Sequence, residues 1–102
     1  MEDSQKNRKM GDIVPVDIPV EMMVYVDTDG EMTPRRLRYE QEGGNKVTIS
    51  FAPEDTVARD DCNYVGIKEK KYICTAIVDG IRTTVEIRYR VADQTWRIFR
   101  FL

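Results

Sequence analysis

Residues 27–38, DTDGEMTPRRLR, carry the alternating aspartates and trailing glycine of a calcium-binding loop. Such a loop surrounds the ion with oxygen ligands at alternate positions. It turns sharply at a glycine in sixth place and closes with a bidentate glutamate in twelfth. With Gly30 sixth, the first position is Tyr25 and the twelfth is Arg36. Asp27 and Asp29 take the third and fifth places, but the first ligand is missing and the last has become a cation. The flanks read as strands, whereas a calcium loop of this kind lies between helices. Asp stabilises turns through its own side-chain hydrogen bonds, and Gly supplies a positive φ. The segment is therefore expected to be a hairpin turn, with no metal bound.

Other residues with chemical potential are sparse. Glu54-Asp55 and Asp60-Asp61 are adjacent acids on a connection, where solvation is their ordinary role. Paired glycosidase carboxylates also need a cleft for the sugar, and a domain this small has little room for one. Histidine is absent, which removes Ser-His-Asp and Cys-His nucleophile pairs and the usual zinc ligand. Cys62 and Cys74 alone make a poor zinc site and are expected to be reduced, partly buried thiols. Gly43-Gly44 is too short to cradle phosphate, and no G-x-x-x-x-G-K-[ST] run occurs. Tyr72 and Tyr89 fall where packing residues are expected. No catalytic residue and no cofactor is assigned, and an enzyme is not expected.

The elements that must position these residues are strands. The chain has 102 residues, 41% hydrophobic and 33% charged, with a formal net charge of -2, as suits one domain that is not polyanion-binding as a whole. Residues 1–12 are polar and read as a flexible lead, and residues 13–102 as a single β domain. The lead lacks the apolar core of a secretory signal, and no apolar run reaches the roughly 20 residues of a membrane helix. A cytoplasmic location is expected. From Val14 to Val26, apolar residues recur with period two while Asp17 and Glu21 occupy the other face. Pro15 and Pro19 share one parity, so this reads as an edge strand with one side blocked. Leu37 and Tyr39 alternate with Arg36 and Arg38, EGGN reads as a turn, and KVTISF alternates again. PEDTVARDD reads as either a short helix or an irregular acidic loop.

The last third is the clearest. Asp79-Gly80 lies between two alternating runs and suits a type I′ hairpin, which needs positive φ at both central residues. That turn sets Val78 opposite Ile81, Ala76 opposite Thr83, Cys74 opposite Val85 and Tyr72 opposite Ile87. The result is one nearly apolar face, which a slip of one residue would destroy. A turn around ADQT then returns the chain as WRIFRFL. Placing Val91 opposite Trp96 and Tyr89 opposite Ile98 continues the core face. It also sets Phe99 beside Arg88 and Phe101 beside Glu86 on the outer face. A mainly β fold follows, a small antiparallel β-barrel or strongly curved sheet of about five to seven strands with at most one short helix.

The runs VPVDIPVEMMVYVDTDGEMTPRRLRY and YICTAIVDGIRTTVEIRYRVADQTWRIFRF resemble a group of small uncharacterised bacterial β-rich proteins. The shared features are Asp27, Gly30 and Pro34 around the first turn, and Tyr89 and Trp96 in the last hairpin. The resemblance implies a mainly β domain and no assigned activity.

Two binding functions compete. Arg82, Arg88, Arg90 and Arg97, together with Phe99 and Phe101, form the candidate interaction surface on the face away from the core. As an apolar and cationic patch it suits a protein partner or a homodimer, since Phe and Arg are enriched at interfaces. The alternative is single-stranded nucleic acid, with phosphates on Arg and bases stacked on Phe, and with Arg35, Arg36 and Arg38 extending the patch. Either way, the outer side of the last strand is expected to be covered, by a second copy or by another part of the chain.

Overall fold

A computed structural model describes residues 16–102. The expected lead, residues 1–12, and the first residues of the apolar run, including Pro15, lie outside the described residues. Seven strands form one antiparallel sheet: β1 (Ile18–Val26), β2 (Met32–Glu40), β3 (Lys46–Ser50), β4 (Thr56–Tyr64), β5 (Ile67–Val78), β6 (Ile81–Arg90) and β7 (Thr95–Phe101). Their spatial order is β3-β2-β1-β7-β6-β5-β4. The only helical element among the described residues is one 3-10 turn, Pro53–Asp55. The sheet curls strongly, bringing Cα atoms of β3 within 8 Å of β5 although five places separate them. It does not close, and β3 and β4 remain its two edges.

Alternation generates the core. Leu37, Ile49, Phe51, Tyr72, Cys74, Ala76, Val85, Ile87 and Ile98 are buried together inside the curl. Ile18, Val20, Met22, Tyr89 and Trp96 pack against them. Ile87 is fully buried, while Arg82 on the opposite parity of the same strand is exposed. Full burial of a Leu or Ile side chain contributes about 1.5–3 kcal/mol.

The turns follow their residue chemistry. Asp27 Oδ1 accepts from the backbone N–H groups of Asp29 and Glu31, both at 2.9 Å, and Gly30 takes φ 85°. The expected β1–β2 hairpin turn is therefore in place. Asp79 and Gly80 both have positive φ, 53° and 78°, and all four expected β5–β6 pairs form. Val65-Gly66 makes a second two-residue turn, which holds the β-branched Val65 at φ 52° with its side chain exposed.

Three sequence expectations are corrected. First, β1 is an interior strand, not an edge. It pairs with β7 over Ile18–Val20 and then with β2 from Glu21 to Val26. Pro19 falls in the stretch that has no β2 partner, where a missing N–H is tolerated. Second, PEDTVARDD is a short helix only over Pro53–Asp55, and the rest of it is strand, not irregular loop. Helical geometry ends at Asp55, whose carboxylate accepts from the Ala52 N–H at 2.7 Å, and β4 begins at Thr56. The sequence carries little sign of this strand because an edge strand has little apolar alternation to show. Third, the last hairpin pairs two residues away from the expected register. Tyr89 faces Trp96 and Ile87 faces Ile98, with Val91–Gln94 as the loop. Gln94 at φ 61° donates its N–H to the Arg90 carbonyl at 2.9 Å, which closes the loop one residue earlier than expected. A shift of two residues preserves the core face.

Between Glu86 and Ile87 the β6–β7 register shifts again. Ile87 pairs with Ile98 but Glu86 pairs with Arg100, so Phe99 is the extra residue of a bulge on β7. The bulge reverses the parity of everything after it. Phe101 lands opposite Val85, on the core side, not beside Glu86 on the outer side.

Candidate functional site

The outer faces of the two halves of the sheet are built differently. Across β5, β6 and β7 the register brings Glu69 opposite Arg90, Arg88 opposite Arg97, and Glu86 opposite Arg100. Two of these pairs set opposite charges together, and the two arginines of the third lie beside the glutamates that bind them. Arg97 clasps Glu69 with both terminal nitrogens, Nη1 to Oε2 at 2.6 Å and Nη2 to Oε1 at 3.1 Å. Arg88 lies between the two glutamates, donating to Glu69 Oε1 at 3.1 Å and, through Nε, to Glu86 Oε2 at 2.6 Å. Arg100 Nε donates to the other Glu86 oxygen at 2.7 Å. Asp17, at the entry to β1, makes an ion pair with Arg97, and Arg90 Nε stands 3.6 Å from Glu69.

This network is buried. Glu69 is 0% exposed, Glu86 1%, Arg97 8% and Arg88 9%. Aromatic rings cover it. The Arg88 guanidinium sits 4.0 Å from the Phe99 ring centre, and Tyr64 meets Phe99 edge-on at 5.1 Å. Tyr64 also has the Arg97 guanidinium 5.3 Å from its ring centre. Burial alone would raise the Glu69 pKa. The hydrogen bonds and charges of Arg97 and Arg88 outweigh it and hold the carboxyl below its ordinary value. Burial would likewise lower Arg88, but Glu86 and Glu69 raise it, so it stays charged.

The predicted interaction residues therefore do not assemble into one exposed patch. Arg88, Arg97 and Phe99 are buried together in the network. Arg90 is half-buried beside Glu69. Arg82 is exposed, near the Asp79-Gly80 turn and away from the network. Phe101 is 39% exposed and stands on the other face, beside Ile18 and Tyr39 in a shallow recess. The expected cover over the last strand exists for Phe99, and it comes from within the chain, from Tyr64 and the two arginines. Glu69, Glu86 and Asp17 were not singled out from the sequence. The signal available was their parity, since Glu86 alternates with Val85 and Ile87 on the same side as Arg88 and Arg90.

Comparison with known proteins gives no relative: no protein-family model, no curated protein and no solved structure matches this chain.

The outer face of the other half is open. On β1, Met23 is 58% exposed and Tyr25 57%, and Met23 pairs across to Arg36 on β2. Arg38 is exposed beside them and binds Glu21 at 2.6 Å. Among the described residues Arg36 makes no ion pair. A shallow groove of about 270 Å³ runs along Met23, Arg36, Arg38 and Thr48.

On the core side, Tyr72 and Cys74 are packing residues. Burial pushes the Tyr72 phenol up to about 12 and raises the Cys74 thiol. Cys62 and Cys74 are free thiols. Among the described residues no helix is long and apolar enough to cross a membrane.

Proposed function

We propose that this chain is a non-enzymatic, cytoplasmic domain of the bacterial β-rich kind it resembles, and that it binds a protein through the outer face of β1 and β2. One observation carries this reading. Met23 and Tyr25 stand more than half exposed beside Arg36 and Arg38, while the equivalent face of the other half is closed over its own charges. Tyr, Met and Arg are enriched where proteins meet. A long apolar pair left in water on a central strand forgoes burial that a partner would supply. The nucleic-acid reading is weaker, because Arg88 and Arg97 are already neutralised by glutamates and cannot release counterions from phosphate.

The test uses Met23→Asp and Tyr25→Asp, with Arg82→Glu as a control elsewhere on the surface. Sedimentation equilibrium reads self-association. A photo-crosslinking residue at position 25, followed by mass spectrometry, reads a different partner in cells. Loss of either association in the two β1 variants but not in the control is the expected result. A wild-type monomer that yields no crosslink at position 25 refutes the proposal.

A further inference from the structure

A second surface lies at the seam the open sheet leaves. β4 is paired with β5 along its length and, among the described residues, has no neighbour on its other side. Arg59, Asp60 and Asp61 of this edge strand line one side of a groove of about 500 Å³. The opposite wall is Gly30, Glu31 and Met32, at the β1–β2 turn and the start of β2, and Lys70 and Tyr72 of β5 also line it. β3 does not fill this gap, because its pairing with β2 begins only at Arg36. Side chains alone bridge the seam. Arg59 reaches from β4 to Glu31 at 3.4 Å and donates to Thr33 Oγ1 at 3.0 Å.

We propose that this seam accepts an extended, Lys- or Arg-bearing segment of a partner protein as an added strand on β4. The unpaired backbone of β4 supplies the hydrogen bonds that hold such a segment. The side chains select its charge. Four acidic residues line the groove, Asp29, Glu31, Asp60 and Asp61, against two cations, Arg59 and Lys70. Asp61 stands with Lys70 on the inner face of β4, and Asp60, opposite Lys71, projects from the other face of the same edge. Arg59 is engaged by Glu31, and Lys70 by Asp61 at 3.0 Å. Among the described residues Asp29 and Asp60 have no ion pair. The same acids disfavour a second copy of β4 as the occupant, because an edge-to-edge pair would set Asp60 and Asp61 against their own like charges. A cationic strand meets no such repulsion. This surface is separate from the β1–β2 face, so either proposal can fail without the other.

The experiment titrates the isotopically labelled full chain with the peptide acetyl-Lys-Val-Lys-Val-Lys-Val-Lys-amide and follows backbone amide shifts. Two comparison peptides are used, one with Glu for Lys and one N-methylated at alternate backbone nitrogens. Shifts confined to Ala58–Cys62 and Gly30–Met32 are expected, with at least tenfold weaker binding of both comparison peptides. The double variant Asp60→Asn/Asp61→Asn should bind at least fivefold more weakly at unchanged melting temperature. If that variant melts early, Asp60→Asn alone is scored. Equal binding by the N-methylated peptide, shifts elsewhere on the sheet, or no binding at millimolar peptide would each overturn the proposal. In the last case the acids serve only to protect an edge.

Discussion

Glu69 is the residue whose environment departs furthest from its sequence neighbourhood. It sits in KEKK, residues 68–71, a run that looks fully solvated, yet the carboxylate is completely buried and held by two arginines. Removing its charge would leave two buried arginines, Arg88 with only Glu86 and Arg97 with only the more exposed Asp17, so Glu69→Gln should destabilise by roughly 3–5 kcal/mol. The pH dependence has a definite sign. Arg97 and Arg88 hold the folded carboxyl below its ordinary value against the opposing effect of burial. The stability it contributes is therefore complete above the unfolded-state pKa. It is lost as pH falls through the lowered folded-state value. Urea melts of wild type between neutral and acidic pH should show this loss, and Glu69→Gln should show a shallower acid dependence. Parallel acid curves for the two proteins would assign the acid sensitivity to other carboxylates.

At the scale of elements, the bulge in β7 decides what the two terminal phenylalanines do. Strict alternation would place Phe99 and Phe101 on one face. The extra residue between Ile98 and Arg100 separates them, with Phe99 under Arg88 and Tyr64 and Phe101 beside Ile18 and Tyr39. Phe99→Ala should therefore cost about 3–5 kcal/mol, the usual loss for a buried phenylalanine. Phe101→Ala, 39% exposed, should cost clearly less. Thermal melts give the comparison, and light scattering should show no change of mass for Phe99→Ala because its cover is intramolecular. Equal losses for the two would mean that the bulge does not sort them. The β6–β7 connection has the same lesson. A four-residue loop allows two placements one residue apart at its ends, and both keep Trp96 on the core face.

At the scale of the molecule, an open curled sheet has a gradient of protection. β6 and β7 lie in the middle with neighbours on both sides, whereas β3 and β4 each have one. Local opening is easiest where buried contacts are fewest and backbone bonds face solvent. Hydrogen exchange should therefore be slowest at Val85–Arg88 and Arg97–Ile98, and fastest along β3 and β4. β1 should divide, because its two halves use different partners. Protection in β4 equal to that in β6 would indicate that its free edge is already paired in solution, which would place a partner in the seam.

How much of this was legible beforehand varies with the range of the interactions. Period-two patterning determined the strands other than β4, and Asp79-Gly80 determined the β5–β6 register. A type I′ turn and an apolar face are both local, and they agreed. Asp27–Gly30 was readable as a turn for the same reason, since its hydrogen bonds run within five residues. β4 was not readable, because an edge strand with polar residues on both faces carries no apolar signal. The interior place of β1 was hidden because prolines mark unpaired positions without saying which part of a strand is unpaired. The bulge was hidden because nothing in WRIFRFL marks an extra residue. Only the tertiary structure decided which arginines are free. Arg36 and Arg88 look alike along the chain, yet one stands in the open and the other is closed between two glutamates from different strands. Charge pairing across a sheet depends on strand order and register. Both are set by the curl that gathers Leu37, Ile87 and Ile98 into one core.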